Sequence, residues 1–579
     1  YVILISVMAS SFVQSNFNAG LDMFSERTKL PEGAYPLLIN GRSRFGKVRP
    51  INKPLLLTGG LPAGNVSNYQ GLYGVGNFAM VFANGRCWVR DFSVAESIFS
   101  AVPGFQMSPG AATLWLETIP ASSINYGRKL TSVASDVNPG NPTNFLNDLV
   151  NPSPQAAVIQ DGILQPWIIL SDGTARETSD YYGWQNNSTQ REYVPVGKQM
   201  VYADGKLYIT DGKQIFHSVS GRPLDFMVAI DDEGNKLDPA EEGFASNVSH
   251  RVFYDNITCL ARVSTEAGGF YVGSPTNSFL VVPDYSFTIY GEPTFTNKFV
   301  TNTGPLNQFS FLGDASGDSL LIDGSSIKSF NSILQFRNAG KNSPFSVPIS
   351  SLFDGVTQDV TAAGQYDNYS MFALNTVYGP AVVWYDELRE VWEAVDIYSN
   401  ITGSINQFAE IQVNTGERIL LFRTTAGNIY QFGASSSVET CTLYLGDWSA
   451  GDPDTEMKMG EIKALFNQAQ SAGTVTATLF VDNQRQEDVV LTKTIAQDYT
   501  ASVGNRTIPF GDATERSINN IEFDFSRCKS GYKAGVMLQW NVAADLTYIS
   551  GITRGTQKLA NTMKRQQSEY LVNKAALGL

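Results

Sequence analysis

QMVYADGKLYITDGKQIFHSVSGRPLDF, Gln199 to Phe226, is the stretch whose reading decides the fold. It spells short strands separated by turn dipeptides. Asp204-Gly205 and Asp211-Gly212 are the pairs a two-residue hairpin turn favours, because such a turn needs positive φ and glycine supplies it without a Cβ clash. Between them Leu207 and Ile209 fall on one side and Tyr208 and Thr210 on the other, the period of two that marks a strand. A third strand passes through Ile215, Phe216 and His217, and a Ser-Gly-Arg-Pro turn at Ser220 to Pro223 closes the unit. The unit is a β-meander. One such sheet buries too little apolar surface to offset its ordering entropy, so the chain has to repeat it and stack the copies.

Working outward, the same strand–turn–strand scheme recurs at irregular intervals. Phe78 to Phe92 is a hairpin around Asn84-Gly85, and Ala156 to Thr178 carries turns at Asp161-Gly162 and Asp172-Gly173. Ile257 to Asp284, Phe309 to Phe330 and Asn368 to Val395 follow, the last with a strand through Val382 to Tyr385, an acidic turn and Trp392. Glu417 to Phe432 completes the series with a turn at Gly427. Diverged units at uneven spacing fit a β-propeller whose insertions map to its face loops, and Val102 to Pro154, rich in Pro, Asn, Ser and Gly, reads as such an insertion. After Gly433 the texture changes. Leu443 to Asp454 reads as a polar joint, and alternation resumes in Val475 to Val481, Ile521 to Phe525 and Val536 to Trp540, as in a β-sandwich. The expected organisation is an extended N-terminal segment over 1–60, a propeller-like domain over 61–440 with its insertion around 102–154, a sandwich-like module over 441–552, and a C-terminal tail over 553–579 that is either a mildly basic amphipathic helix or frayed.

Composition supports an all-β chain. Of 579 residues, 12% are aromatic and only 17% charged, with 51 glycines and 25 prolines, which suits many turns and short strands. The length predicts roughly two to four domains. Forty-one Lys and Arg against 55 Asp and Glu leave a net charge of −14, the wrong sign for a protein that grips nucleic-acid phosphates. Cys87, Cys259, Cys441 and Cys528 are far apart with no CxxC pair, and read as buried thiols rather than a zinc site or disulfide framework. His217 and His250 are the only histidines, and His217, inside a strand, reads as packed or hydrogen-bonded. No run approaches the length of a membrane-spanning helix. The opening YVILISV is a poor signal peptide; Met8-Ala9-Ser10 reads as a start preceded by residues 1–7 of an upstream one, or else the segment is a strand that adds to a neighbouring sheet.

The central unit also carries a resemblance. Ile215-Phe216-His217-Ser218, then Gly221-X-Pro223 and Asp225-Phe226, resembles the blade of tail nozzle proteins of short-tailed bacteriophages, also called tail tubular or DNA-stabilisation proteins. The N-terminal succession Phe17 to Leu21, Arg27, Leu38-Ile39-Asn40 and Gly46 to Pro50 is similar to the start of that family, as are the Tyr385-Asp386 to Trp392 phrase with Trp384, and the exit strand after Gly427. The resemblance implies a structural virion protein of the tail: a homo-oligomeric ring, expected as a hexamer, that extends the DNA channel. Its implied neighbours are a head-to-tail adaptor or portal-side ring and tail fibres or spikes, with double-stranded DNA passing without sequence-specific binding. A wall that carries DNA without holding it should be acidic. The expected lumen loops are those of Asp231, Asp232 and Glu233 and of Glu241 and Glu242.

Catalytic signatures are missing from the sequence. There is no Gly-X-Ser-X-Gly, Walker-type phosphate loop or dinucleotide fingerprint, so the chain is expected not to be an enzyme and to need no cofactor or metal. Asp452-X-Asp454-X-Glu456 lacks the glycine and distal glutamate of a calcium loop, and Ser171 to Thr174 lacks the spacing of a sialidase Asp-box; both read as turns. A second reading is a secreted or cell-surface propeller that binds or cleaves polysaccharide, for which aromatic rings and acidic turns are the usual equipment.

Overall fold

In the computed structural model, which describes residues 7–63, 68–120, 155–169, 173, 175–178, 191–192, 194–219, 221–227, 250–263, 269–289, 292–315, 318–323, 326–330, 333, 345–353, 362–376, 379–413, 416–449, 455–486, 490–497, 501–503, 506–508 and 519–557, the chain is a β-propeller welded to a β-sandwich. Seven blades are present among the described residues. In chain order their innermost strands are Tyr69–Val75, Trp115–Pro120, Met200–Ala203, Cys259–Arg262, Phe311–Ala315, Ala362–Tyr366 and Ile405–Gln412, and each packs against the next around a closed circle. Every blade is antiparallel. Blades 1, 2, 4 and 6 have four strands in order, blade 3 adds Arg191–Glu192 at its outer edge and His250–Val252 alongside Gln214–Val219, blade 5 has three, and blade 7 is completed from the other end of the chain. Its outermost strand is Leu55–Leu56, paired with Ile429–Gln431, so a segment preceding blade 1 closes the ring.

The period-two pattern explains the stacking. In blade 3, Leu207 and Ile209 pack toward blade 2 with Ile119, Val158 and Ile168, while Tyr208 packs toward blade 4 with Leu260, Phe270 and Val272. Both faces of the strand are buried because each blade has a neighbour on either side. Corresponding apolar seams lie between blades 1 and 2, 4 and 5, 6 and 7, and 7 and 1. The seam between blades 5 and 6 runs on into the sandwich core. Turn chemistry follows the sequence with one shift. Asp204 and Gly205 have φ of +49° and +76° between paired Ala203 and Lys206, the turn expected of Asp-Gly. Asp211, by contrast, pairs with Gln214, so that loop is Gly212-Lys213, with Gly212 at φ +65° in the first central position.

Near the axis, backbones approach closely. A Cβ on Gly74 of blade 1 would lie 1.9 Å from the Glu410 carbonyl oxygen of blade 7, a separation only glycine tolerates. Glutamines complete the inner seams. Gln407 accepts from the Leu72 N–H (3.0 Å) and donates to the Leu72 carbonyl, and Gln308 does the same for Leu260 (2.9 and 2.6 Å). These amides act as short strand partners across seams where no ladder forms.

The sandwich packs two sheets. One runs Asn519–Asp524, Thr455–Asn467, Asp545–Gln557, Lys47–Pro50, Gly41–Arg44, with Val7–Gln14 also pairing along Asp545–Gln557. The other runs Leu37–Ile39, Cys441–Ser449, Lys533–Trp540, Gly473–Val481. Between them lie Leu38, Val48, Leu443, Ile462, Phe466, Leu479, Leu538 and Trp540. Leu37–Ile39 also joins Val391–Asp396 of blade 6 in parallel through Val395 and Ile39, so propeller and sandwich share one sheet.

Several expected boundaries shift. The N-terminal stretch expected as extended supplies strands to both domains, since its short apolar pieces are too brief to signal strands alone but suffice to edge sheets formed elsewhere. Within 102–154, Trp115–Pro120 is the inner strand of blade 2, and residues 121–154 lie outside the described residues. The expected joint from Leu443 is instead part of the strand Cys441–Ser449, and the last sandwich strand reaches Gln557, so 553–557 are strand and 558–579 lie outside the described residues. All four cysteines are buried and unpaired, and burial raises their thiol pKa values. No helix among the described residues is long and apolar enough to cross a membrane.

Candidate functional site

The residues singled out by the blade motif are structural. Ser218 Oγ accepts from the Leu207 N–H (2.9 Å), tying two strands of blade 3. Gly221 has φ +72° and its N–H donates to the Gly205 carbonyl (2.8 Å); Pro223 and Phe226 are buried and Phe216 is half-buried in the seam toward blade 2. His217 is buried beside Tyr208 and Phe295. Gly427, φ +78°, turns blade 7. Trp384 and Trp392 are both buried, yet they face opposite seams of blade 6, Trp384 toward blade 7 and Trp392 toward blade 5. These positions do not converge on one site. Asp231, Asp232, Glu233, Glu241 and Glu242 lie outside the described residues, as do Asp452 and Asp454.

What converges instead is a polar junction built by the hairpin Gly41–Arg44 and Lys47–Pro50. Arg42 lies opposite Arg49 and Arg44 opposite Lys47, so four cations share one face of a two-stranded ladder. Like charges facing each other across strands are unfavourable unless counter-charges are supplied. Blade 6 and the sandwich supply them. Arg42 is bidentate to the fully buried Asp396 (2.9 and 2.7 Å) and lies 3.9 Å over the Trp384 ring. Tyr398 donates to the same carboxylate (3.1 Å), and the pair with Asp396 raises the Arg42 pKa although burial opposes it. On the opposite face, the Ser43 N–H donates to Glu393 (2.7 Å), which also pairs with Arg389 (2.9 Å); burial holds Glu393 above the usual carboxylate range despite Arg42 and Arg389.

The outer cations are held loosely. Arg44 is 3.6 Å from Asp367, and its Nε donates to the Tyr369 hydroxyl (3.3 Å). Arg49 and Lys47 share Asp545 at 3.6 and 4.0 Å. The hairpin face and blade 6 enclose a cleft of about 310 Å³ where propeller meets sandwich. Arg42, Arg44 and Arg49 line it with Tyr366, Tyr369, Trp384 and Phe432, and no carboxylate does among the described residues. No group of three or more His, Cys, Asp or Glu placed to hold a metal occurs among the described residues. The sequence signal for this site is Arg-X-Arg-X-X-Lys-X-Arg across a turn; sequence reasoning passed over it because only the hairpin register puts all four on one face.

No family model and no curated protein matches this chain. Among solved structures, it is similar to BBS1N in complex with ARL6DN (11% identity, 49% of this chain and 89% of that one, TM-score 0.23). Others are Kluyveromyces lactis Hsv2 (6%, 67% and 95%, TM-score 0.30) and the extracellular domain of the putative hybrid two-component system BT4673 from B. thetaiotaomicron (11%, 80% and 49%, TM-score 0.34). Overlaps this loose carry no argument about function.

Proposed function

We propose that this chain is a structural virion protein that forms the nozzle ring at the end of a short phage tail, extending the DNA channel and helping to retain or release the genome. The motif resemblance motivates the reading. The observation that carries it is the shared sheet: blade 6 continues through Leu37–Ile39 into the sandwich, so the two domains are joined through strand pairing as suits a load-bearing ring subunit. In this reading the channel is the hole of the ring, not the propeller axis, because Arg262 of blade 4 pairs with Glu117 of blade 2 between inner strands too close to admit a duplex. Ring subunits use a heterologous interface closed by rotation, with an adaptor ring on one side and fibres or spikes on the other. Native mass spectrometry and electron microscopy of the purified protein and of tail particles test this. A closed ring, expected with six copies, supports it; a single copy per particle, or a monomer at all concentrations, overturns it.

The second reading, a glycan-binding or glycan-cleaving propeller, draws on the aromatic cleft beside blade 6. Specific binding or turnover on a glycan panel without ring formation would put it first.

A further inference from the structure

We propose that the cleft between the Gly41–Pro50 hairpin and blade 6 is a binding site for a small oxyanion carried on a flat ring, a carboxylate or phosphate ester, held by Arg44 and Arg49. The inference does not depend on whether the chain forms a ring. Three observations meet here. First, the chain carries a net charge of −14, yet one hairpin face gathers Arg42, Arg44, Lys47 and Arg49 against three carboxylates, Asp396, Asp367 and Asp545. Asp396 is committed to Arg42 in a closed, buried pair. Two carboxylates are left for three outer cations. Second, the Arg44 and Arg49 contacts to those carboxylates are both 3.6 Å, beyond hydrogen-bond length, and their side chains are 59% and 39% exposed. Among the described residues the Arg49 guanidinium makes no hydrogen bond, so its fork is available to a planar oxyanion. Third, the walls are aromatic: Tyr366 and Phe432 are half-buried beside the guanidiniums, over a floor of Trp384 and Tyr369. A cleft of about 310 Å³ at a domain junction admits a single ring and its anionic group and excludes a duplex or a folded partner.

The roles are distinct. Arg42 is a positioning residue: locked to Asp396 and laid over Trp384, it fixes the hairpin against blade 6 and so holds the two paired strands that present Arg44 and Arg49. The latter two supply the donors. Asp367 and Asp545 keep the empty site from repelling its own strands, and a bound oxyanion takes their place.

Titration calorimetry on the full chain, at low salt, with phenyl phosphate and benzoate as ring-bearing probes and inorganic phosphate and benzyl alcohol as halves, tests the site. The expected result is saturable binding of phenyl phosphate, benzoate or both, tighter than either half, weakening with added salt. The pair that binds tells phosphate ester from carboxylate. Arg44→Gln/Arg49→Gln should weaken it by about tenfold or more while unfolding at nearly the wild-type midpoint, because exposed pairs contribute little to stability. If that double variant fails to fold, Arg44→Lys, which keeps the charge but loses the fork, should weaken binding several-fold by itself. No saturable binding of any probe, or binding equally tight in the variants, overturns the proposal.

Discussion

Removing the Arg42 guanidinium should unfasten the sandwich from the propeller. Arg42 lies on a sandwich strand, while Asp396 and Trp384 lie on blade 6. Arg42→Ala deletes two charge-assisted bonds to Asp396 (2.9 and 2.7 Å), one to the Gly41 carbonyl (2.8 Å) and the contact over Trp384. Asp396, with no exposed side-chain surface, is left with the Tyr398 hydroxyl as its remaining hydrogen bond. Stranding one member of a buried ion pair costs about 3–5 kcal/mol, most of it the desolvated charge rather than the lost attraction. The two can be separated. Asp396→Asn in the Arg42→Ala background removes the stranded charge and should restore stability, so the double-mutant cycle should give a coupling of about 2 kcal/mol or more. The assay is urea unfolding of the four proteins followed by tryptophan fluorescence, because Trp384 sits at the junction and reports its opening. Arg42→Ala within about 1 kcal/mol of wild type, or strictly additive effects of the two substitutions, would refute the reasoning.

Trp392→Ala empties a seam beside Phe345, Phe372 and Tyr385 and should lower stability by about 3–5 kcal/mol, measured by chemical unfolding; an unchanged midpoint contradicts the seam. Gly74→Ala forces a methyl against the Glu410 carbonyl and should cost about 1–3 kcal/mol, whereas Gly110→Ala, which meets nothing within 4 Å, should be close to neutral in the same melt. Burial raises the Glu117 pKa above 4.5, with Arg262 opposing, so the folded state holds this proton more tightly than the unfolded chain and its contribution declines as pH rises through the window just above 4.5. Glu117→Gln should therefore gain on wild type in unfolding midpoint as pH goes from that window toward neutrality; a difference that does not vary with pH contradicts the assignment.

The sequence by itself determined what depends on neighbouring residues. Asn84-Gly85 and Asp204-Gly205 turn where their positive-φ tolerance predicts, and Leu207 and Tyr208 divide between opposite faces because strand geometry alternates them. An all-β chain of stacked meanders followed by a sandwich was legible in that alternation. Tertiary structure decided everything that rests on partners far along the chain. Leu55–Leu56 pairs with a strand that begins at Ile429, and Arg42 finds Asp396 354 residues away. Nothing near Gly41 to Pro50 says that its cations will share one face or that blade 6 will answer them. Hairpin register set the first and the shared sheet through Ile39 set the second, because local backbone preference fixes a strand and its turn, whereas the identity of the surface it meets is a property of the whole packed chain.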